Sequence, residues 1–212
     1  MAKAIIGTLQ HNMRQALGAG RLKEAEAVLA RLKKEDPLSA ATRGFELEFY
    51  LNSERFSEAE ALAEQLCRLF PDSARILFLA GKLDYRRKRY PEAEARFRES
   101  LRLHPSRQIQ YWMGKTLTQS GKFDEAESLL HLALEHQRRA LLDLAWLYER
   151  KNDLEAALKA LDEFLSKDPD NAYAAEQRIR IRAKMLEPEE LVSEMEVLAG
   201  LDEEVPPSLF PE

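Results

Sequence analysis

A 34-residue period runs through the first half of the chain. Prolines and alanines carry it in two parallel sets, with each alanine twelve residues before its proline: Ala25, Ala59 and Ala93, and Pro37, Pro71 and Pro105. A fixed period of this length indicates that one small structural unit is repeated along the chain. Stacked repeats form extended surfaces rather than enclosed pockets, so the period also predicts a protein that works through its surface.

The period continues with looser spacing toward the C-terminus. Ala126 follows Ala93 by 33 residues, Ala157 follows Ala126 by 31, and Pro169 again lies twelve residues beyond its alanine. Each of these alanines comes after a turn and an apolar residue, as in the segment 121–126, which reads GKFDEA. Five repeats are therefore in register.

Each repeat has the pattern of two helices. In the third repeat, Asp72 and Ser73 are suited to cap the first helix, and Pro91 suits the first turn of the second, where no N–H is needed. His104 ends that helix, because the residue before a proline is pushed out of the helical region. Gly20 and Gly121 occupy the helix–helix turn of the first and fourth repeats, where a left-handed residue is needed.

Small residues recur on the facing sides of the two helices. Gly81 and Ala93 lie one on each helix of the third repeat, and Phe97 and Leu101 surround them. Two antiparallel helices can approach closely where so little side chain separates them, near the short end of the range of about 8–10 Å between helix axes.

These residues resemble the tetratricopeptide repeat family, whose signature is W-x2-L-G-x2-Y, then A-x3-F, then P. The best match is Ala80-Gly81 with Ala93-x3-Phe97 and Pro105, and the resemblance covers about residues 6–169, with a degenerate sixth repeat to about 200. It implies an all-α, right-handed superhelical solenoid of stacked antiparallel helix pairs. We expect a single domain over 1–200, with repeats at about 6–39, 40–73, 74–106, 107–137, 138–169 and 170–200.

The chain departs from the family pattern at several positions. No repeat has tryptophan at the first aromatic position, and Asp84 stands at the usual tyrosine site of the third repeat. The fourth repeat lacks its proline and is about three residues short, which predicts a change of superhelical curvature between residues 131 and 141. Residues 201–212 are an acidic, proline-containing tail or the start of a truncated further element.

Composition limits the other possibilities. The chain has 212 residues and a net charge of −5, so it has no general attraction to nucleic acid. No apolar run approaches the roughly 18 residues that would span a bilayer, and the N-terminus does not read as a signal peptide. Cys67 is the only cysteine, so no internal disulfide can form, and we expect a packed thiol in a cytoplasmic protein.

Catalytic and metal-binding patterns are missing from the sequence. His131 and Glu135 have the only spacing that could place two metal ligands together, and a zinc site needs three or four. Neither a glycine-rich phosphate loop nor a G-x-S-x-G motif occurs. We therefore predict a protein that is not an enzyme and that has no catalytic residues, metal site or cofactor.

In the family, the first helix of each pair lines the inner, concave surface. On the equivalent stripe of this chain, aromatic residues alternate with cations, and Tyr, Trp and Arg are the residue types that dominate binding energy at protein interfaces. The sequence predicts a groove that binds a peptide with acidic and apolar residues, and hence a scaffold or adaptor for protein–protein interaction. The predicted groove residues are Phe45, Arg75, Phe78, Lys82, Tyr85, Arg86, Tyr111, Trp112, Lys115, Trp146, Arg150, Arg178 and Arg182.

Three other interpretations stay open at this point. Trp112 and Trp146 could pack between repeats instead of facing the groove. The chain could assemble with itself, because its acidic, phenylalanine-containing tail suits the groove of a neighbouring copy. The basic runs at 86–89 and 178–184 could bind a single-stranded nucleic acid, although the chain as a whole is acidic. Asparagine is scarce on the inner stripes, which argues against the family's carboxylate-clamp type that grips chaperone C-termini.

Overall fold

The computed structural model describes residues 2–186, in which all regular secondary structure is α-helical. The predicted all-α class with stacked helix pairs is thereby confirmed. Eleven helices follow one another in these residues: α1 (Ala2–Gly18), α2 (Leu22–Glu35), α3 (Ala40–Asn52), α4 (Phe56–Leu69), α5 (Ala74–Arg86), α6 (Tyr90–Leu103), α7 (Arg107–Gln119), α8 (Phe123–Ala133), α9 (Ala140–Arg150), α10 (Leu154–Lys167) and α11 (Ala172–Met185).

The chain divides into two compact units, residues 1–122 and residues 123–212. We call them the N-terminal region, with α1 to α7, and the C-terminal region, whose described part holds α8 to α11. In each region the successive helices pack against one another as stacked pairs. The single domain over 1–200 and its six repeat boundaries stay predictions. The second half of the sixth repeat and the tail at 201–212 lie outside the described residues.

The turn within each helix pair has the same backbone geometry in all five complete pairs. One residue of the turn has a positive φ: Gly20 (67°), Glu54 (58°), Lys88 (60°), Gly121 (76°) and Asn152 (62°). The N–H of the following residue donates back to a carbonyl five residues earlier, as from Arg55 to Tyr50 O at 2.9 Å. This is the Schellman arrangement, which satisfies the last carbonyls of the first helix. Glycine fills the left-handed position in only two of the five turns.

The third repeat shows how the two helices of a pair begin. The hydroxyl of Ser73 accepts a hydrogen bond from the N–H of Ile76, and Pro91 lies in the first turn of α6. Both features match the prediction. The helix ends before His104, which is extended.

Small residues form the contact between paired helices. The five register alanines are completely buried: Ala25, Ala59, Ala93, Ala126 and Ala157. In the third repeat, a Cβ added to Gly81 would lie only 2.7 Å from Cε1 and 2.9 Å from Cδ1 of the Phe97 ring. Phe97 is itself fully buried, so its ring occupies the space that the missing side chain leaves. Gly81 is therefore required by packing rather than by backbone conformation.

Acidic side chains join consecutive repeats. The glutamate after the register alanine of one repeat pairs with a cation in the helix–helix turn of the next. The pairs are Glu60 with Arg89 (2.7 Å), Glu94 with Lys122 (2.8 Å) and Glu127 with Lys151 (3.0 Å). Partial burial opposes ionisation of Glu94, but hydrogen bonds from Lys122 and Arg98 lower the pKa of this carboxyl below its usual value.

Asp84, at the family's tyrosine site, is almost completely buried. Arg89 Nη2 lies 3.0 Å from one carboxylate oxygen, and Arg96 Nη1 lies 2.8 Å from the other. Burial raises the pKa of Asp84 despite the opposing effect of the two guanidinium groups. Two cations thus replace the contacts that a tyrosine would make at this position.

A compact turn replaces the missing proline of the fourth repeat. Helix α8 ends at Ala133, and the N–H of Gln137 donates to Ala133 O at 2.9 Å. The N–H of Ala140 then donates to Gln137 O at 2.9 Å, and α9 begins there. Glu135 lies beyond the end of α8, so it does not share a helix with His131. The predicted change of curvature stays a prediction.

The contact between Gly81 and Phe97 predicts that a larger side chain at position 81 destabilises the fold. Gly81→Ala is expected to lower the free energy of unfolding by about 1–3 kcal/mol, because the added methyl group overpacks against a buried ring. Chemical denaturation followed by circular dichroism measures this change. Gly44→Ala is the matched control on α3, since its Cβ would lie 3.4 Å from the nearest atoms, in ordinary contact. An equal effect of both substitutions would contradict the packing role of Gly81.

Candidate functional site

Helices α5 and α7 bring six of the predicted groove residues together in the N-terminal region. On each helix they recur at steps of one, three or four residues, which places them on one broad face. Phe78, Lys82 and Tyr85 come from α5, and the others come from α7. We call this set the Trp112 patch: Phe78, Lys82, Tyr85, Tyr111, Trp112 and Lys115.

Aromatic rings form the body of the patch. The centroids of Tyr85 and Trp112 are 5.4 Å apart at an interplanar angle of 82°, and those of Tyr111 and Trp112 are 6.2 Å apart at 77°. Both are edge-to-face arrangements, the favourable geometry for aromatic pairs. Trp112 is half-buried, so its ring packs against neighbouring rings and still leaves part of its surface accessible.

Two ammonium groups flank the indole of Trp112. Lys82 Nζ lies 5.1 Å from the centroid of this ring, and Lys115 Nζ lies 5.4 Å from it. These distances are within the range of cation–π attraction. Lys82 also lies 5.7 Å from the centroid of Phe78. Two positive charges thus lie close to the indole ring of Trp112, near the surface.

Lys82 holds its charge in a partly desolvated position. Burial lowers the pKa of its ammonium group, Glu48 opposes this shift, and Arg86 adds to it. Across residues 2–186, no carboxylate oxygen lies within 4.0 Å of Lys82 Nζ. The rings therefore provide its close contacts, and an anion that approached this position would offset the cost of desolvation.

Three of the predicted groove aromatics lie below the surface. Phe45 is fully buried, and Phe78 and Tyr111 are buried to more than nine-tenths. The guanidinium carbon of Arg75 lies 4.0 Å from the Phe45 ring centroid and covers it, while Arg75 Nη2 pairs with Glu48 at 2.8 Å. Buried rings cannot serve as protruding anchors. Of the three, Tyr111 packs directly against Trp112.

Arg86 is held by the preceding repeat. Its Nη1 donates to the carbonyl oxygen of Leu51 at 3.0 Å, and its Nη2 donates to Glu54 Oε1 at 3.0 Å. The Glu54 carboxylate therefore offsets its charge. Of the predicted groove cations on α5, Lys82 is the one without a paired carboxylate in the described part of the chain.

The C-terminal region has a second aromatic surface, between α9 and α11. Trp146 is half-buried, and the guanidinium carbon of Arg150 lies 5.2 Å from its ring centroid. Leu142 and Tyr173 line the same shallow notch, and Tyr173 is 58% exposed. Sequence reasoning missed Tyr173. Tyr173 lies in the first turn of α11, the position that Arg75 has in α5, and this equivalence could have identified it.

The remaining predicted residues lie on α11, and most cations near them have acidic partners. Arg178 pairs with Asp162 at 3.4 Å, while Arg182 is exposed. The Glu149 carboxylate forms ion pairs with both Arg180, at 2.7 Å, and Lys184, at 2.6 Å.

The first basic run, at residues 86–89, is neutralised in a similar way. Arg87 and Arg89 both reach Glu60, and Arg89 also reaches Asp84. These ion pairs reduce the positive charge that the runs present to a polyanion.

Other reactive groups give little indication of chemistry. Cys67 is half-buried, and burial raises the pKa of its thiol, which favours the unreactive protonated form. Within residues 2–186, no group of three or more His, Cys, Asp and Glu side chains is placed to hold a metal ion. None of the described helices is long and apolar enough to cross a membrane.

Comparison with known proteins gives matches to one family. Two profiles, each described as tetratricopeptide repeat, match residues 50–108 and 117–179, together more than half of the chain. A search of curated protein sequences finds no significant match.

Several solved structures share this fold. A thermophilic tetratricopeptide repeat protein of Thermus thermophilus aligns with a TM-score of 0.69 and 19% identity, over 83% of this chain and 98% of that one. PilF of Pseudomonas aeruginosa aligns with a TM-score of 0.69 and 21% identity, over 91% and 89%. YrrB, described as a protein of the same repeat type with an unusual peptide-binding site, aligns with a TM-score of 0.59 and 19% identity, over 78% and 88%. At these identities the similarity shows the fold alone.

Lys82 gives a prediction about stability and pH. Because burial lowers its pKa, the unfolded chain binds this proton more firmly than the folded chain does. Lys82→Met keeps the apolar stem and is expected to raise the unfolding temperature at neutral pH. The gain should shrink as the pH rises from the lowered pKa to the ordinary value of a lysine, where both states lose the charge.

Lys23→Met is the matched control for this measurement, because Lys23 is exposed on α2. It is expected to leave the unfolding temperature nearly unchanged. Thermal unfolding of both variants and of the unaltered protein at several pH values tests this prediction. A Lys82→Met variant that is less stable at neutral pH would show that the ammonium group is well solvated or compensated in the folded chain.

Proposed function

The chain belongs to the tetratricopeptide repeat family, and from this premise we propose that it is a non-catalytic scaffold or adaptor that binds a peptide segment of a partner protein on the Trp112 patch. Tetratricopeptide repeats serve in general as scaffolds for protein interaction. The proposal adds a location and a chemistry to this general role. It involves no catalytic step and no cofactor.

One observation carries the proposal: a partly desolvated lysine lies against an accessible tryptophan. Lys82 Nζ is 5.1 Å from the Trp112 ring centroid and has no carboxylate within 4.0 Å in the described part of the chain. An acidic residue of a partner would supply the missing counter-charge. The partner would gain a charge-assisted contact in a site where part of the desolvation cost is already present in the free protein.

The rings determine the rest of the partner's chemistry. The accessible parts of Tyr85 and Trp112 offer apolar contact to a side chain next to the acidic residue. Phe78 and Tyr111 are buried on the same two helices, and Tyr111 packs against Trp112, which favours a surface that is preorganised for its partner. Tryptophan and tyrosine residues at the centre of an interface are among those that contribute most of its binding energy. The patch therefore suits a peptide with acidic and apolar residues close together.

Two further observations support this proposal. YrrB, which shares the fold, is described as having a peptide-binding site. The single cysteine fits a reducing compartment, so we place the protein in the cytoplasm, where partner proteins with acidic peptide segments are available.

The two tryptophans of the chain allow a matched test. Trp112→Leu is expected to weaken binding of the captured partner by about thirtyfold, the effect of losing an interface residue worth about 2 kcal/mol. Trp146→Leu makes the same change on the C-terminal surface and should leave binding nearly unchanged. Partners are first captured from the source cell with the unaltered protein and identified by mass spectrometry, and their affinities are then measured by calorimetry.

Fold integrity and charge are checked in the same experiment. Circular dichroism must show that both leucine variants keep their helices. A Lys82→Gln and Lys115→Gln double variant tests the charge requirement separately from the ring. The proposal is wrong if Trp112→Leu and this double variant both bind partners as the unaltered protein does. Loss of binding only in Trp146→Leu would move the site to the C-terminal region.

A further inference from the structure

The charge of the chain is distributed very unevenly. Residues 187–212 contain nine Asp and Glu residues and no Lys or Arg. Because the whole chain has 32 basic and 37 acidic residues, residues 1–186 contain 32 basic and 28 acidic residues, a net charge of +4. The net negative charge of the protein therefore comes entirely from its last 26 residues.

The last twelve residues combine the two features that the Trp112 patch selects. Asp202, Glu203 and Glu204 form an acidic cluster, and Leu209 and Phe210 follow within a few residues. An acidic cluster close to apolar side chains is the chemistry that a surface with two ammonium groups around an accessible indole would bind.

We propose that residues 202–212 of one copy of this chain dock on the Trp112 patch of a second copy. The inference rests on the proposed function, because it uses the same patch and names an occupant for it. The acidic cluster approaches Lys82 and Lys115, and the Phe210 ring contacts the accessible faces of Tyr85 and Trp112. The carboxylates supply the direct ion pair that Lys82 lacks within the described residues.

Association of this kind joins two different surfaces, one from each copy. When only one tail is docked, such a head-to-tail contact leaves one patch and one tail unused in a dimer, so it can extend into chains or close into rings. The association therefore grows with protein concentration and weakens with salt, because ion pairs carry part of it. External partners and the tail compete for one patch, which makes self-association a form of regulation.

The 212-residue chain provides the first test, by sedimentation velocity over a range of concentrations. Neutralising the cluster in Asp202→Asn, Glu203→Gln and Glu204→Gln is expected to weaken self-association by about tenfold, the effect of losing about three exposed ion pairs. The matched control neutralises three other acids of the same region, in Glu187→Gln, Glu189→Gln and Glu190→Gln. It changes the net charge equally and should leave the association intact.

A mixing experiment then tests whether two copies are needed. The Lys82→Glu and Lys115→Glu variant keeps its tail but has a reversed patch, and the neutralised-tail variant keeps its patch. Each alone is expected to remain largely monomeric. Their mixture should form a complex that stops at one copy of each, because only one productive tail and one productive patch remain.

Several results would overturn the inference. An unaltered chain that stays monomeric at the highest soluble concentration excludes it, as does a control variant that loses association equally. A mixture that does not associate shows that the tail does not reach the patch of a second copy. These results leave the proposed function standing, because capture of external partners through Trp112 is measured separately. If Trp112→Leu and the Lys82→Gln and Lys115→Gln double variant weaken neither partner binding nor self-association, both proposals fail.

Discussion

The close contact between paired helices is the constraint on which the rest of the structure depends. Completely buried alanines allow the two helices of a repeat to approach, and in the third repeat Phe97 fills the space beside Gly81. Other large side chains lie on faces turned away from this contact, as Tyr85 does where it meets Trp112 of the next pair. The Trp112 patch exists because α5 and α7 turn such faces toward one another.

Much of the fold could be predicted from the sequence, because its signals are local. The period gives the repeat, Ser73 caps a helix within three residues, and Gly20 and Gly121 mark their turns. Glu54 and Lys88 adopt the same left-handed conformation, although neither is a glycine. Tertiary packing imposes that conformation at an intrinsic cost of about 1 kcal/mol, so no local pattern reveals it.

The candidate site could be predicted only in part. Helical spacing indicates which residues share a face, as for Lys82 and Tyr85, but it does not give the depth of each ring. Phe45 and Tyr111 are buried because neighbouring helices cover them, which depends on contacts between repeats. The pairing of Arg86 with Glu54 and of Arg89 with Glu60 has the same origin. These contacts join residues about thirty positions apart, beyond the range of a pattern within one helix.

The acidic side chains between repeats have a consequence for how such a chain changes length during evolution. Glu60 and Glu94 occupy the same position in consecutive repeats, and each meets a cation in the turn that follows. If residues 74–106 were deleted as one block, Glu60 would face Lys122, a partner of the correct sign. Each junction thus pairs a glutamate with a cation. The gain or loss of a whole repeat therefore leaves opposite charges facing one another at the new junction. Modular growth of this protein is built into its charge pattern as well as into its helices.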